Sequence, residues 1–148
     1  MKKFYYLTIG MLLLPAVCNS QNIELTFNHK ALLVDDLENS ASFYERILFL
    51  EEIEVPEGVT SMRWFSLSNG IQLHLIKVDN IEVKLHKAIH IALTTVEFEG
   101  YLKHLENNQI NYENWAGDKS IGTSPYFGTR NIFIQDPSGH WIEIREEV

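Results

Sequence analysis

The chain repeats itself, and the repeat can be aligned position by position. Setting Gly70-Ile71-Gln72-Leu73-His74-Leu75-Ile76 against Gly139-His140-Trp141-Ile142-Glu143-Ile144-Arg145 superposes His74 on Glu143 at an offset of 69 residues. Setting Asn28-His29-Lys30-Ala31-Leu32 against Ile89-His90-Ile91-Ala92-Leu93 superposes His29 on His90 at an offset of 61. The difference of 8 requires a longer connection in the second half, and Ala116 to Phe127 stands where the first half has only Pro56 to Thr60. Such internal repetition restricts the chain to folds made of two copies of one supersecondary unit.

The unit can be read from hydrophobic period. Asn28 to Val34 alternates and predicts a strand; Asp35-Asp36 then offers a helix N-cap before Leu37, Ala41, Tyr44 and Leu48 at helical spacing. Strands are expected over Glu51 to Val55, Met62 to Leu67 and Ile71 to Val78, the last two joined by an Asn69-Gly70 hairpin turn. The second half runs the same course, with strands over Ala88 to Thr95, Ile110 to Trp115, Asn131 to Gln135 and Trp141 to Arg145, and a helix over Glu97 to Asn108. The order βαβββ thus occurs twice, in modules over about 26–79 and 87–147. The expected fold class is α+β, two tandem modules forming a curved, open sheet or cup.

In such a cup equivalent positions face one another, which draws His29, His74, His90 and Glu143 together. His74 sits between Leu73 and Leu75, and Glu143 between Ile142 and Ile144, so each polar group points to the face opposite its aliphatic neighbours. An unpaired buried carboxylate costs several kcal/mol or becomes neutral, whereas imidazoles and a divalent cation satisfy it. Three imidazoles and one carboxylate suit one divalent metal ion, Zn, Ni, Co, Mn or Fe(II), and His29, His90 and Glu143 alone make the two-His-one-carboxylate set of non-haem iron sites. Any one of these histidines can instead be a core residue bonded to backbone, and Glu143 can alternate to solvent. If the reaction is an isomerisation or lyase step, Glu143 or His74 would be the catalytic base, leaving the metal to take a proton alpha to a carbonyl. Arg63 would face an anionic substrate or cap a surface pair. The Ala116 to Arg130 connection, with Tyr126 and Phe127, reads as a lid or as a surface loop. Trp64, Phe65, Trp115, Tyr126, Phe127 and Trp141 divide between core and pocket wall, and His86, His104 and His140 are expected at the surface.

The first twenty residues differ in kind. Met1-Lys2-Lys3 followed by the apolar run Phe4 to Val17 reads as a secretory signal peptide over 1–20, with Gln21 opening the mature domain over 21–148. The alternatives are a retained anchor helix and a lipoprotein built on Cys18, the only cysteine. The expected destination is the periplasm or the exterior, with no membrane contact after the signal is removed. Without Lys2 and Lys3 the mature chain has 10 basic against 20 acidic residues. That balance argues against nucleic acid as a partner, since polyanion binders carry basic patches.

The stretch from Asn28 to Leu37 with Ser40, Phe43-Tyr44 and Leu48, together with Phe133-Ile134-Gln135-Asp136-Pro137-Ser138-Gly139-His140-Trp141-Ile142-Glu143-Ile144, resembles the glyoxalase/bleomycin-resistance/extradiol-dioxygenase family, also called the vicinal oxygen chelate superfamily. The resemblance covers the whole mature chain, and it places the family's four metal positions on His29, His74, His90 and Glu143. His74 stands where glutathione-dependent glyoxalase I usually has Glu and methylmalonyl-CoA epimerase Gln. Leu33 stands where bacterial glyoxalase I has an Arg that contacts glutathione. The resemblance therefore implies a metal-dependent lyase or isomerase of a small dicarbonyl or hydroxy-carbonyl compound, glyoxalase-like but not glutathione-specific. It also implies a homodimer, in which several relatives complete the site with strands from both chains. The competing readings are an Fe(II) dioxygenase and a non-enzymatic, antibiotic-binding protein of the resistance type.

Overall fold

A computed structural model describes residues 23–82 and 84–148. The proposed signal peptide over 1–20 lies outside the described residues.

The first module comprises β1 (His29–Val34), α1 (Leu37–Arg46), β2 (Glu51–Ile53), β3 (Met62–Ser66) and β4 (Gln72–Lys77); the second comprises β5 (His90–Thr95), α2 (Phe98–Asn107), β6 (Gly122–Thr123), β7 (Arg130–Gln135) and β8 (Trp141–Glu146). Each module makes one four-stranded mixed sheet, ordered β1-β4-β3-β2 and β5-β8-β7-β6. This is the expected α+β architecture with βαβββ occurring twice.

Strand register reproduces the repeat. β1 runs parallel to β4 with Ala31 beside His74, and β5 runs parallel to β8 with Ala92 beside Glu143. The two pairs are related by the same offsets of 61 and 69 that the sequence alignment requires.

Local chemistry starts and stops the elements as read. The Asp36 side chain accepts from the Asn39 N–H at 3.0 Å and caps α1. Between β3 and β4, Asn69 (φ 59°) and Gly70 (φ 74°) both adopt the left-handed conformation that lets a two-residue turn follow the twist of its strands.

Both sheets and both helices contribute to a single core. Leu32, Val34, Leu73 and Leu75 from the first sheet join Ile132, Ile134, Ile142 and Ile144 from the second, with Phe43 and Tyr44 of α1 and Phe98 and Leu102 of α2. Each such side chain contributes about 1.5–3 kcal/mol when fully buried. Polar ties cross between the modules: the Tyr44 hydroxyl donates to Asp136 at 2.9 Å, the Tyr101 hydroxyl to the Ile47 carbonyl at 3.1 Å, and His140 Nε2 to the Leu33 carbonyl at 2.8 Å.

Two expectations are corrected. Ile110 to Trp115 is not a strand: only Glu113 bridges, to Phe133, and the strand beside β7 is the two-residue β6. The apolar residues Ile110 and Tyr112 alternate because they pack against the core, while Asn114 closes a turn with Asp118. His140 is buried rather than exposed, because its ring reaches β1; His104 is half-buried against Phe49 at a ring distance of 4.5 Å; His86 is exposed as expected. Among the described residues no helix is long and apolar enough to cross a membrane.

Candidate metal centre

Alternation along the strands decides which way the candidate ligands face. In β1 and β4 the core takes Leu32, Val34, Leu73 and Leu75, which turns His29 and His74 to the outer side of the first sheet. In β5 and β8 it takes Ile91, Leu93, Ile142 and Ile144, which turns His90 and Glu143 to the outer side of the second. Both pairs therefore lie on sheet faces directed away from the shared core.

On the first face the imidazoles of His29 and His74 stack, with ring centroids 4.4 Å apart and planes 10° from parallel. Trp64, opposite His74 in the β3–β4 register, stacks on the other side of that ring at 4.2 Å and 8°. His29 Nδ1 donates to Asn28 Oδ1 and His74 Nε2 to Gln72 Oε1, each at 2.8 Å, which leaves the other ring nitrogen of each without a hydrogen-bond partner among the described residues. Partial burial, and secondarily the neighbouring His29, hold the His74 pKa below the usual histidine value. A neutral imidazole is the form that binds a metal.

On the second face His90 Nδ1 donates to the Lys87 carbonyl at 2.8 Å, directing Nε2 at Glu143 Oε2, 3.2 Å away. The other Glu143 oxygen, Oε1, accepts from Asn131 Nδ2 at 2.7 Å. Such an approach is favourable when a proton or a cation lies between the nitrogen and the carboxylate. Two ligand atoms bonded at about 2.0–2.2 Å to one ion stand roughly 3 Å apart, so the pair fits a shared cation. Backbone and amide groups that orient a histidine and a carboxylate in this way are what outer-shell support for a metal looks like.

The structure thus brings the four predicted ligands together two by two. Among the described residues, no three His, Cys, Asp or Glu side chains gather as a metal-holding group. Each face supplies two donors.

Other predicted residues sort themselves. Arg63 binds Glu38 and Glu52 and is a surface pair. Phe65 is core, whereas Trp64 and Trp141 lie on the outer faces beside the candidate ligands. Tyr126 and Phe127 project from the 116–130 connection and are largely exposed. Asn131 and Lys87 were not anticipated. Alternation alone could have found Asn131, a polar residue before Ile132 that shares the Glu143 face; the role of Lys87 is played by its backbone carbonyl and leaves no trace in the sequence.

Residues 26–144 match the family model described as Glyoxalase/Bleomycin resistance protein/Dioxygenase superfamily. The uncharacterized protein YwbC of Bacillus subtilis is 28% identical over 122 residues, covering 78% of this chain and 93% of that one. Among solved structures, a glyoxalase family protein from Bacillus anthracis is similar with a TM-score of 0.67 at 20% identity, covering 86% of this chain and 99% of the other. The fosfomycin resistance protein FosX from Listeria monocytogenes gives 0.65 at 19%, with 85% and 96% covered. Lactoylglutathione lyase from Agrobacterium tumefaciens gives 0.60 at 21%, with 84% and 95% covered. At these identities the likeness is one of fold.

Proposed function

Because the chain belongs to the Glyoxalase/Bleomycin resistance protein/Dioxygenase superfamily, we propose that it is an exported, metal-dependent lyase or isomerase of a small vicinal-oxygen compound. The cation is Zn, Ni, Mn or Fe, held by His29 and His74 of one chain and by His90 and Glu143 of a second copy in a homodimer. The observation that carries this reading is the approach of His90 Nε2 to Glu143 Oε2 at 3.2 Å, with the remaining polar atom of each side chain already bound elsewhere. The stacked His29–His74 pair on the other outward face supplies the complementary donors. A two-fold axis that apposes the first sheet of one chain and the second sheet of the other unites four donors and makes two identical sites.

When bound, the cation supplies Lewis-acid polarisation to two neighbouring substrate oxygens. The chain's own residues do the rest. Asn131 holds Glu143 by one oxygen; the other, on leaving the cation, would accept a proton from the carbon alpha to the substrate carbonyl and return it to the neighbouring carbon. His74, kept neutral by burial, is the second candidate for that role. Trp64 walls the site on the His74 side. Leu33, on the His29 face of β1, offers no cation to a glutathione carboxylate.

Elemental analysis of natively purified protein, followed by assay against 2-oxo-aldehydes and hydroxy-ketones, tests the reading. Zn, Ni or Mn with turnover supports it. Fe(II) with oxygen uptake moves the protein to the dioxygenases, and absence of any metal makes it a non-enzymatic binder. Glu143→Gln that keeps both metal and full turnover removes Glu143 as the base. Cell fractionation with mass spectrometry of the N-terminus tests export: a chain opening at Gln21 outside the cytoplasm supports it, and a cytoplasmic chain with an intact Met1 refutes it.

A further inference from the structure

On the same outward face as Glu143, one guanidinium is left without a partner. Arg145 follows Glu143 by two residues along β8, with the core-facing Ile144 between them, so the two side chains emerge on one face about 7 Å apart. Arg63 is bound by Glu38 and Glu52, Arg130 is bound by Glu99 and Glu146, and Arg46 stands in solvent at the end of α1. Arg145 is half-buried, and among the described residues it makes neither an ion pair nor a hydrogen bond.

Among the described residues no acidic group on its face comes within ion-pair distance of it, although Glu147 is anchored at Thr94, the residue beside Arg145 in the β5–β8 register. Glu143 accepts from Asn131 by one oxygen and faces His90 Nε2 with the other, and Glu147 accepts from the Thr94 hydroxyl at 3.2 Å. What does touch Arg145 is the ring of Phe127, with Cζ 4.1 Å from the centroid. A guanidinium carries five N–H donors, and its contact with one ring leaves most of them without a partner, so Phe127 holds the fork in place without saturating it. An oriented, unpaired guanidinium in a chain with 20 acidic and 12 basic residues is a ready site for a bidentate oxyanion.

We infer that Arg145 anchors an anionic group of the substrate about 7 Å from the oxygens held at Glu143, so that the substrate is a vicinal-oxygen compound with a distal carboxylate, phosphonate or phosphate. This rests on the proposed function for the location of those oxygens. Arg145 sets specificity; it takes no part in proton transfer.

The test compares 2-oxoglutarate with 2-oxovalerate, which has a methyl in place of the distal carboxylate, by calorimetric titration of the metal-loaded full-length protein. Wild type should bind 2-oxoglutarate at least about tenfold more tightly, as a charge-assisted bidentate contact requires. Arg145→Met should bind the two alike, Arg145→Lys should keep part of the preference, and Phe127→Ala should lose part of it with the charge intact. Unchanged thermal melting of the variants excludes misfolding, and if Arg145→Met melts early the Phe127→Ala and Arg145→Lys titrations decide. A wild type without preference, or an Arg145→Met variant that retains it, overturns the inference. Repeating the wild-type titration after chelation separates the two ideas: a carboxylate preference that persists while metal adds no affinity upholds Arg145 and sinks the metal-chelation reading.

Discussion

The Tyr44 hydroxyl donates to the Asp136 carboxylate at 2.9 Å, with both residues buried, and so fastens the helix of the first module to the closing turn of the second. Asp136 also accepts from the backbone N–H groups of Ser138 and His140, so Tyr44 completes a set of donors around one buried charge. Tyr44→Phe should destabilise the fold by about 1–3 kcal/mol, the cost of leaving a buried acceptor short of a donor. A lowered urea midpoint with an unchanged slope checks this.

The same bond has an alkaline consequence. Burial, and then the Asp136 charge, raise the Tyr44 pKa well above its ordinary value. The unfolded chain ionises this tyrosine near pH 10 while the native chain keeps it protonated, so stability is held below pH 10 and falls as pH rises beyond it. Between pH 9 and pH 11 the midpoint of Tyr44→Phe should decline less than that of wild type.

His74 makes the opposite prediction on the acid side. Its native pKa is lowered, chiefly by burial, so between that value and about 6.5 the unfolded chain binds the proton and the native chain does not. In chelator-treated protein the His74 contribution should weaken stability as pH falls below about 6.5. His74→Asn should show a smaller drop in urea midpoint between pH 7.5 and 5.5.

Gly122 in β6 guards the amide that holds Glu143. A Cβ placed there would stand 2.8 Å from Asn131 Oδ1 and 3.3 Å from Asn114 Cβ. Gly122→Ala should push the Asn131 amide from Glu143 and weaken zinc binding by about 10–100-fold, as loss of an outer-shell partner does. Asn131→Ala should match it in a competition titration with a chromogenic chelator, while Gly100→Ala in α2, where the added carbon meets nothing closer than 3.9 Å, should leave zinc affinity unchanged.

If the site is completed between chains, variants on opposite faces must rescue each other. His74→Ala and Glu143→Ala should each lose metal alone. Mixed by co-refolding, they should recover about one quarter of wild-type metal content, because half of randomly paired dimers are mixed and each mixed dimer has one intact site of two. No recovery on mixing would place the donors within one chain.

Much of this fold could be read from the chain because its strongest determinants are local and doubled. The alternation around His74 and Glu143, the Asp36 cap and the Asn69-Gly70 turn each specify geometry within a few residues, and the repeat sets the strand register through its two offsets. What escaped depends on distant partners. Ile110 and Tyr112 imitate a strand because they dock on the core, while Gly122 forms a strand with none of the usual propensity. His140 is buried by a carbonyl 107 positions away at Leu33, which no local pattern announces. The four candidate ligands were legible as residues, but their division between two outward faces follows from how the helices and sheets share one core.

That division makes occupancy a question of quantity. If the cation is shared between two chains as proposed, the second half of the donor set arrives with another molecule, and assembly of the site is second order in chain concentration. Dilution would then act as an inhibitor: metal would be released at a protein concentration fixed by the dimer's dissociation constant, and an isolated chain would stay inert until it met its like.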